Sequence, residues 1–282
     1  MSSDISPRSG PGHRFDPTMA TPAGTYASLR GSKNALGAAR RAGGKLVQDI
    51  PNVDEVVKEN AAALVRVVDR LASDGHRLFA DLGGGQPVQG MDARKLPDLY
   101  EVARQQQEDL RWLLLDSDVV AVTHGRASIG RLPGVAVVQE DLRHPTKVLQ
   151  AIDTHVGLDR KIVIIFGAVL HFLTEQEIAE LMYPLWDHLV LGSVVVATHV
   201  TSTGVAPETV AKSTATYEAE HGVSIYPRTR DAIASLAGPF SIHEPGVVRT
   251  IDFLPDPERL PPVEKAPHFL MWMAERLSAD GS

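Results

Sequence analysis

The sequence contains no cysteine among its 282 residues, and this absence excludes disulfide bonds, thiolate metal sites and cysteine nucleophiles. Basic side chains are also in deficit: 28 lysines and arginines stand against 35 aspartates and glutamates, which gives a formal charge of −7. A chain with this balance is not expected to bind nucleic acid or an anionic membrane surface. No apolar run approaches the roughly 20 residues that cross a bilayer, and the N-terminal residues lack the apolar core of a signal peptide. We therefore expect a cytoplasmic protein without nucleic-acid or membrane partners.

Three common catalytic motifs are absent as well. The chain has no HExxH pair for zinc, no GxxxxGK[ST] loop for nucleotide phosphates and no GxSxG turn for a serine nucleophile. Zinc protease, nucleotide hydrolase and serine hydrolase activities therefore have no support, and we expect no metal site.

Short apolar runs alternate with helical patterns along most of the chain. Strands are predicted over residues 77–82, 110–115, 135–139, 161–169, 193–198, 240–243 and 268–272. Helices are predicted over residues 54–73, 94–108, 119–130, 145–155, 175–189, 207–221 and 229–236. Continuous apolar strands that alternate with helices predict an α/β fold, in which helices cover both faces of a mostly parallel sheet.

The first 53 residues have a different character, and we interpret them as an arm and helical lid before a domain that spans residues 54–282. Residues 1–24 are rich in serine, proline and glycine, which predicts a mobile arm. Residues 25–50 combine four glycines with lysines, arginines and helix-forming alanines. They predict either short helices that fold over a site or a solvated pair of basic helices.

The segment LFADLGGGQP (78–87) ends the first predicted strand on Asp81 and then on three glycines, Gly83, Gly84 and Gly85. Glycine accepts a positive φ angle and has no Cβ atom to keep a ligand away from the backbone. We expect this turn to form the floor of a pocket for an adenosine-bearing cofactor. The loop GGGQPVQGMD does not follow the GxGxxG spacing that a pyrophosphate requires. It therefore favours a cofactor without phosphates and with a positive centre, such as S-adenosylmethionine.

Polar residues also close the later strands, and ligands of open α/β sheets bind beyond the carboxyl ends of the strands. Strand two ends at Asp116-Ser117-Asp118 and strand three at Asp141. A carboxylate after strand two is placed to accept hydrogen bonds from ribose hydroxyls, and one after strand three can accept from an adenine amino group.

Several of these segments resemble motifs of one known family. They are LFADLGGGQP (78–87), LLLDSDVVA (113–121), VVQEDLRHP (137–145), AVLHFLTE (168–175) and LVLGSVVVATHVTS (189–202). Together they resemble an actinobacterial family of S-adenosylmethionine-dependent methyltransferase-like proteins, with matching order over about residues 22–245. The resemblance implies a seven-stranded, mostly parallel Rossmann-like methyltransferase sheet. One departure is Gly84, where the family usually has threonine.

The resemblance also implies a cofactor pocket, residue by residue. The methionine end would lie at Asp81, Gly83 and Gly85, and the ribose at Asp116. The adenine would be surrounded by Ser117, Asp118, Asp141 and Leu142. The N-terminal closure of the pocket would consist of Tyr26, Lys33 and Asn60.

Two histidines that follow apolar strands, His171 and His199, are the candidates for a general base. A neutral imidazole can take a proton from an acceptor hydroxyl or amine, although either ring could instead only hydrogen-bond the backbone. Four further residues could face a substrate, but a packing or surface role is favoured for each: Asp92, Tyr100, Tyr217 and Arg228.

Three functions fit these patterns. The first is a methyltransferase that acts on a small molecule of secondary metabolism. The second is a member of the fold that no longer methylates and that uses Asp81, Asp116 or His171 in an intramolecular displacement or an elimination. The third is an inactive partner-binding subunit, with residues 255–267 and 269–273 at an interface of a homo-oligomer or with a small partner. A buried edge strand is the favoured alternative for this apolar segment.

Overall fold

The computed structural model describes residue 16 and residues 18–50, 52–88, 96–256 and 268–278. The helices are α1 (Pro22–Leu29), α2 (Gly37–Asp49), α3 (Val53–Ser73), α4 (Leu99–Gln106), α5 (Val119–Ala127), α6 (Pro145–His155), α7 (Glu175–His188), α8 (Pro207–His221) and α9 (Arg230–Ser235). The strands are β1 (Leu78–Leu82), β2 (Arg111–Asp116), β3 (Val135–Gln139), β4 (Val163–Gly167), β5 (Val194–Val200), β6 (Ser241–Ile242), β7 (Val248–Arg249) and β8 (Phe269–Glu275).

One sheet organises these elements, in the order β3-β2-β1-β4-β5-β8-β6, and β7 pairs with β8 outside this path. Strands β1 to β5 are parallel, whereas β8 runs antiparallel to β5, β6 and β7. The predicted α/β class and its seven strands are confirmed. The additional strand, β7, has only two residues and was not predicted from the sequence.

Both faces of the sheet are buried, as the continuous apolar strands predict. In β1, Leu78, Ala80 and Leu82 pack into one core, while Phe79 packs into the core on the other face. Phe79 is fully buried and stacks on Trp112 of β2, with ring centroids 5.4 Å apart. A strand with cores on both sides has no polar face, so its sequence shows no alternation.

The chain order places a switch point between β1 and β4. From β1 the chain proceeds outward to β2 and β3, and it then returns to form β4 and β5 on the other side of β1. The loops that leave β1 and β4 therefore diverge, and they leave a crevice beyond the carboxyl ends of these two strands.

The N-terminal segment is more ordered than its composition suggests. Helix α1 begins at Pro22, and the Thr21 hydroxyl caps it by accepting a hydrogen bond from the Gly24 amide at 3.1 Å. The expectation of a mobile arm up to residue 24 is therefore wrong for its last residues, because a Thr-Pro pair is a good helix start. Residues 1–15 lie outside the described residues.

The expectation of short helices over residues 25–50 is confirmed by α1 and α2. Helix α2 buries Ala38, Ala39, Ala42 and Leu46, so it is not a fully solvated basic helix. In the part of the chain that the structure describes, no helix has both the length and the apolar composition that a membrane crossing needs.

Candidate active site

A cavity of about 1000 Å³ lies beyond the carboxyl ends of β1 to β5. Its lining comes from the glycine turn after β1, the loops after β2 to β5, helices α1 to α3 and helix α8. Sites for one small ligand usually have a volume of about 300–1,000 Å³, so this cavity is at the upper end of that range. It can accommodate a cofactor together with a second small molecule.

The glycine turn has little room for side chains. Gly83 and Gly85 have φ angles of +76° and +69°, and a Cβ atom at Gly83 would lie 2.4 Å from Cγ2 of Val169. A Cβ atom at Gly84 would lie 2.8 Å from the carboxyl carbon of Asp81. Because glycine has no Cβ atom at position 84, the Asp81 carboxyl group can occupy this space.

Asp116 connects the glycine turn to the end of β2. Its Oδ2 accepts a hydrogen bond from the Gly85 amide, and its Oδ1 accepts one from the Asp118 amide, both at 2.8 Å. Burial raises the pKa of Asp116 to about 6, although these amides oppose the shift. Each carboxylate oxygen has a further lone pair, so the group can still accept hydrogen bonds from a ligand.

Asp81 differs from Asp116 in the hydrogen bonding of its carboxyl group. It is buried and lines the cavity, yet no described residue forms a hydrogen bond with its side chain. Burial raises the pKa of Asp81 to about 7, and the nearby Asp116 and Asp98 carboxylates add to this shift. Arg30 acts in the opposite direction, but its guanidinium also pairs with Asp98 at 3.6 Å. A cationic ligand group beside Asp81 would stabilise its ionised form.

The loops after β2 and β3 form one side of the cavity, to which Ser117, Asp118, Asp141 and Leu142 contribute. Asp118 caps α5 through the Val120 amide at 2.8 Å, while its Oδ2 is buried without a partner. Asp141 accepts a hydrogen bond from the Arg143 amide at 2.9 Å, and Leu142 is buried. This side can contact a flat polar ring along its edge and its face.

The three residues predicted to close the pocket from the N-terminal side lie at different depths. Tyr26 lines the cavity, and its hydroxyl accepts a hydrogen bond from Nδ2 of Asn60 at 2.7 Å. Asn60 is fully buried behind Tyr26 and does not line the cavity. Lys33 is exposed in the turn after α1, because the chain leaves the cavity at Gly31, where φ is +88°. The structure therefore does not bring Lys33 to the pocket.

His171 does face the cavity. It lies in the 3-10 turn Leu170–Phe172 that follows β4, and it is 4% exposed. Burial lowers the pKa of His171 well below the usual value, as do the nearby His199 and Arg228, so the ring is neutral. Its Nδ1 is buried and has no partner among the described residues. A neutral imidazole in a cavity can accept a proton.

His199 has a different environment. Its Nδ1 lies 2.7 Å from the Val200 carbonyl oxygen, and its Nε2 lies 2.9 Å from Nη1 of Arg228. Nδ1 therefore donates its proton to the carbonyl, and Nε2 accepts from the guanidinium. Burial lowers the pKa of His199 to about 3, and the ring does not line the cavity. The geometry leaves His199 no free nitrogen for a general base.

Comparison with known proteins identifies the family. The family model described as S-adenosyl methyltransferase matches residues 9–274. The chain belongs to this family of S-adenosyl methyltransferases. Its cofactor is S-adenosylmethionine, as the sequence predicts. The comparison with curated proteins gives no match.

Two solved structures resemble this methyltransferase over nearly its whole length. A protein from Thermobifida fusca, provisionally described as a methyltransferase, is 29% identical with a TM-score of 0.81, and the match covers 93% of this chain and 96% of that one. A DUF574 family protein from Streptomyces avermitilis is 23% identical with a TM-score of 0.82, and the match covers 93% and 100%. The second likeness concerns the fold alone.

The sequence did not indicate that helix α8 lines the methyltransferase cavity. Tyr217 and His221 of α8 line it, and their rings stack with centroids 4.0 Å apart. His221 is tied to α1, because its Nε2 accepts from the Thr25 hydroxyl at 2.9 Å. The spacing of four residues on α8 was the one available signal. Of the other candidates, Tyr100 lines the cavity, Arg228 does not, and Asp92 lies outside the described residues.

Within the described ranges, no group of three or more histidines, aspartates and glutamates is close enough to hold a metal ion.

Proposed function

We propose that this methyltransferase methylates a small molecule of secondary metabolism in the cytoplasm. The observation that carries the proposal is the cavity of about 1000 Å³. Its lining combines carboxylates at the strand ends with aromatic and aliphatic side chains. A cofactor and a small acceptor fit such a space, whereas a folded protein does not. The lack of cysteine supports a cytoplasmic location.

The residues at the strand ends are suited to S-adenosylmethionine. The Asp81 carboxyl group has no hydrogen-bond partner among the described residues, which suits the ammonium of the methionine moiety. Asp116 has free lone pairs for the ribose hydroxyls. The side formed by Ser117, Asp118, Asp141 and Leu142 would hold the adenine, and Tyr26, held by Asn60, would cover the methionine end. Lys33 has no role in this arrangement.

The reaction needs few protein groups. S-adenosylmethionine supplies a methyl group on a positively charged sulfur. Proximity and alignment inside a closed cavity contribute most of the rate in such a transfer. His171 would take the proton that an acceptor hydroxyl or amine releases, because its ring is neutral and faces the cavity.

The N-terminal helices would act as the lid, with residues 1–53 as arm and lid and residues 54–282 as the methyltransferase domain. Two contacts support this division: Thr25 of α1 binds His221, and Lys45 of α2 pairs with Glu220, both on α8. A lid held at its far side in this way would exclude water from the transfer.

Titration calorimetry with S-adenosylmethionine and with S-adenosylhomocysteine tests the proposal. We expect binding at micromolar strength to the wild type and no measurable binding to Asp116→Ala. The variant Asp187→Ala is a matched control, since Asp187 is exposed outside the cavity. A folded wild-type protein that binds neither compound would refute the proposal.

One observation favours a second function on the same fold. Asp81 has a pKa of about 7 and no hydrogen-bond partner among the described residues, so it could deprotonate a substrate amine for an intramolecular displacement without any methyl donor. Turnover that continues after complete removal of S-adenosylmethionine would favour this function, and strict dependence on the cofactor would eliminate it.

A further inference from the structure

One side of the cavity, at the turn after β4 and on α8, is built from rings. We call His171, Phe172, Tyr217 and His221 the aromatic wall. Neighbouring ring centroids along it lie 4.4 Å, 5.8 Å and 4.0 Å apart, and the last two pairs are stacked. All four residues line the cavity. A wall of this kind offers the face and edge contacts that flat aromatic ligands form.

Apolar side chains continue this surface. They belong to an apolar cluster that joins α1, α2 and α3 to β8 and the end of β5, and the members lining the cavity include Leu29, Leu46, Val57, Val200 and Phe269. The Phe269 ring lies 6.0 Å from the His171 ring, so the cluster adjoins the aromatic wall. Apolar surface of this extent favours a ligand with a large apolar body.

The described lining offers no free cation. Two arginines line the cavity, and both are engaged. Arg30 pairs with Asp98, and Arg143 pairs with Asp141 and with Glu177 at 2.8 Å. A carboxylate or phosphate on the ligand would lose its hydration without gaining a counter-charge, which is costly in a largely apolar site.

The polar atoms of the aromatic wall are themselves uncharged. Both ring nitrogens of His221 are engaged, by the Tyr217 carbonyl oxygen and the Thr25 hydroxyl. The Tyr217 hydroxyl has no described partner, and burial raises the pKa of Tyr217, so it stays protonated. His171 contributes a neutral ring. The Tyr217 hydroxyl and the His171 imidazole together match a ligand group that both accepts and donates hydrogen bonds. A hydroxyl group has this property.

We propose that the aromatic wall binds an uncharged aromatic compound with a hydroxyl group, its ring against Phe172 and Tyr217 and its hydroxyl toward His171 and the Tyr217 hydroxyl. Binding of this compound is independent of the proposed function, and only its identification as the methyl acceptor rests on that function. It names the acceptor class as a phenol-like molecule rather than an acid, a phosphate ester or an amine.

Three probes of matched shape test the charge preference: 2-naphthol, 2-naphthoate and 2-naphthylmethylammonium, titrated near neutral pH by calorimetry. We expect 2-naphthol to bind at least about tenfold more tightly than either ion, which corresponds to about 1.4 kcal/mol. The titrations are run with and without S-adenosylhomocysteine. Failure of S-adenosylhomocysteine to bind would contradict the proposed function, whereas the preference for 2-naphthol is measured independently of it.

Variants of Tyr217 locate the probe. Tyr217→Phe keeps the ring and loses the hydroxyl, and we expect it to weaken 2-naphthol binding about threefold or more. Tyr217→Ala should weaken binding by about tenfold or more, since it also removes the ring contacts. The control Tyr183→Ala changes a tyrosine that is 57% exposed and outside the cavity, and it should leave binding unchanged. Unaltered S-adenosylhomocysteine binding and thermal unfolding show that each variant is folded.

The proposal is overturned if 2-naphthol shows no saturable binding, or if its advantage over either ion is smaller than stated. It is also overturned if Tyr217→Phe, which preserves the packing of α8, binds 2-naphthol as tightly as the wild type.

Discussion

Arg228 donates a hydrogen bond from Nη1 to Nε2 of His199 across 2.9 Å, and both side chains are buried. The same guanidinium donates to the Leu173 carbonyl oxygen at 2.7 Å and approaches a Glu175 carboxylate oxygen at 3.5 Å. It thereby fixes the 3-10 turn that carries His171 to the end of β5. The rings of His171 and His199 lie 5.4 Å apart, so the second histidine supports the position of the first.

Replacing Arg228 by methionine should therefore affect stability. Arg228→Met leaves Nε2 of His199 and the Leu173 carbonyl oxygen without a partner, and each buried orphan costs about 1–3 kcal/mol. We expect the free energy of unfolding in urea to fall by about 3 kcal/mol. Arg111→Met, at an exposed position, is the control. Equal losses for the two variants would show that the buried contacts contribute nothing.

Replacing His171 should affect catalysis and not stability. His171→Phe replaces a ring whose Nδ1 is buried and has no partner in the part of the chain that the structure describes, so we expect no loss of thermal stability. Binding of S-adenosylmethionine should also stay within about twofold, while kcat with an acceptor that is turned over should fall by about 100-fold or more. Retention of kcat would mean that His171 takes no proton.

Asp81 should make cofactor binding depend on pH. Its raised pKa of about 7 means that the cofactor-free protein must lose a proton before the carboxylate can face a cation. The affinity for S-adenosylmethionine should therefore rise as the pH rises from about 5 to 8, by up to about tenfold per pH unit below the pKa. Asp81→Asn should remove most of this dependence. An identical pH profile for wild type and variant in calorimetry would contradict the assignment.

The Asp81 carboxyl group should also make the free energy of unfolding fall as the pH rises. Between the ordinary aspartate value of 3.8 and about 7, the folded protein holds a proton on Asp81 that the unfolded chain has lost. The free energy of unfolding of the cofactor-free protein should therefore fall through this window. The histidines with lowered pKa values act in the opposite direction, so the measurement is the difference between wild type and Asp81→Asn in urea at each pH. A difference that is constant with pH would show that the Asp81 pKa is not raised.

A Cβ atom added at Gly84 should force the Asp81 side chain to move. Gly84→Ala places a Cβ atom 2.8 Å from the Asp81 carboxyl carbon and 3.1 Å from Cγ of Leu114. We expect a loss of about 1–3 kcal/mol in the free energy of unfolding and weaker cofactor binding. Gly44→Ala is the matched control, since its Cβ atom meets nothing within 4 Å in α2 and should stabilise the helix by up to about 1 kcal/mol. Similar effects of the two substitutions would exclude the predicted contact.

Local patterns in the sequence were sufficient for the sheet and for the carboxylate end of the cavity. The strands are continuous apolar runs because both faces of the sheet are covered. Asp81, Asp116 and Asp141 lie at or just beyond the carboxyl ends of β1 to β3, which meet at one edge because the strands are parallel. These features depend on neighbours in sequence and on one topological rule. They are therefore visible in the order of residues.

The tertiary structure alone decided which polar groups are free. His171 follows β4 and His199 lies near the end of β5, yet Arg228 donates a hydrogen bond to the His199 ring and not to the His171 ring, across 29 residues of sequence. Thr25 and His221 close the cavity across 196 residues. No periodicity encodes such contacts, because they depend on where distant elements pack. The sequence by itself determined the fold, the cofactor class and the carboxylates, and packing determined the aromatic wall and the available histidine.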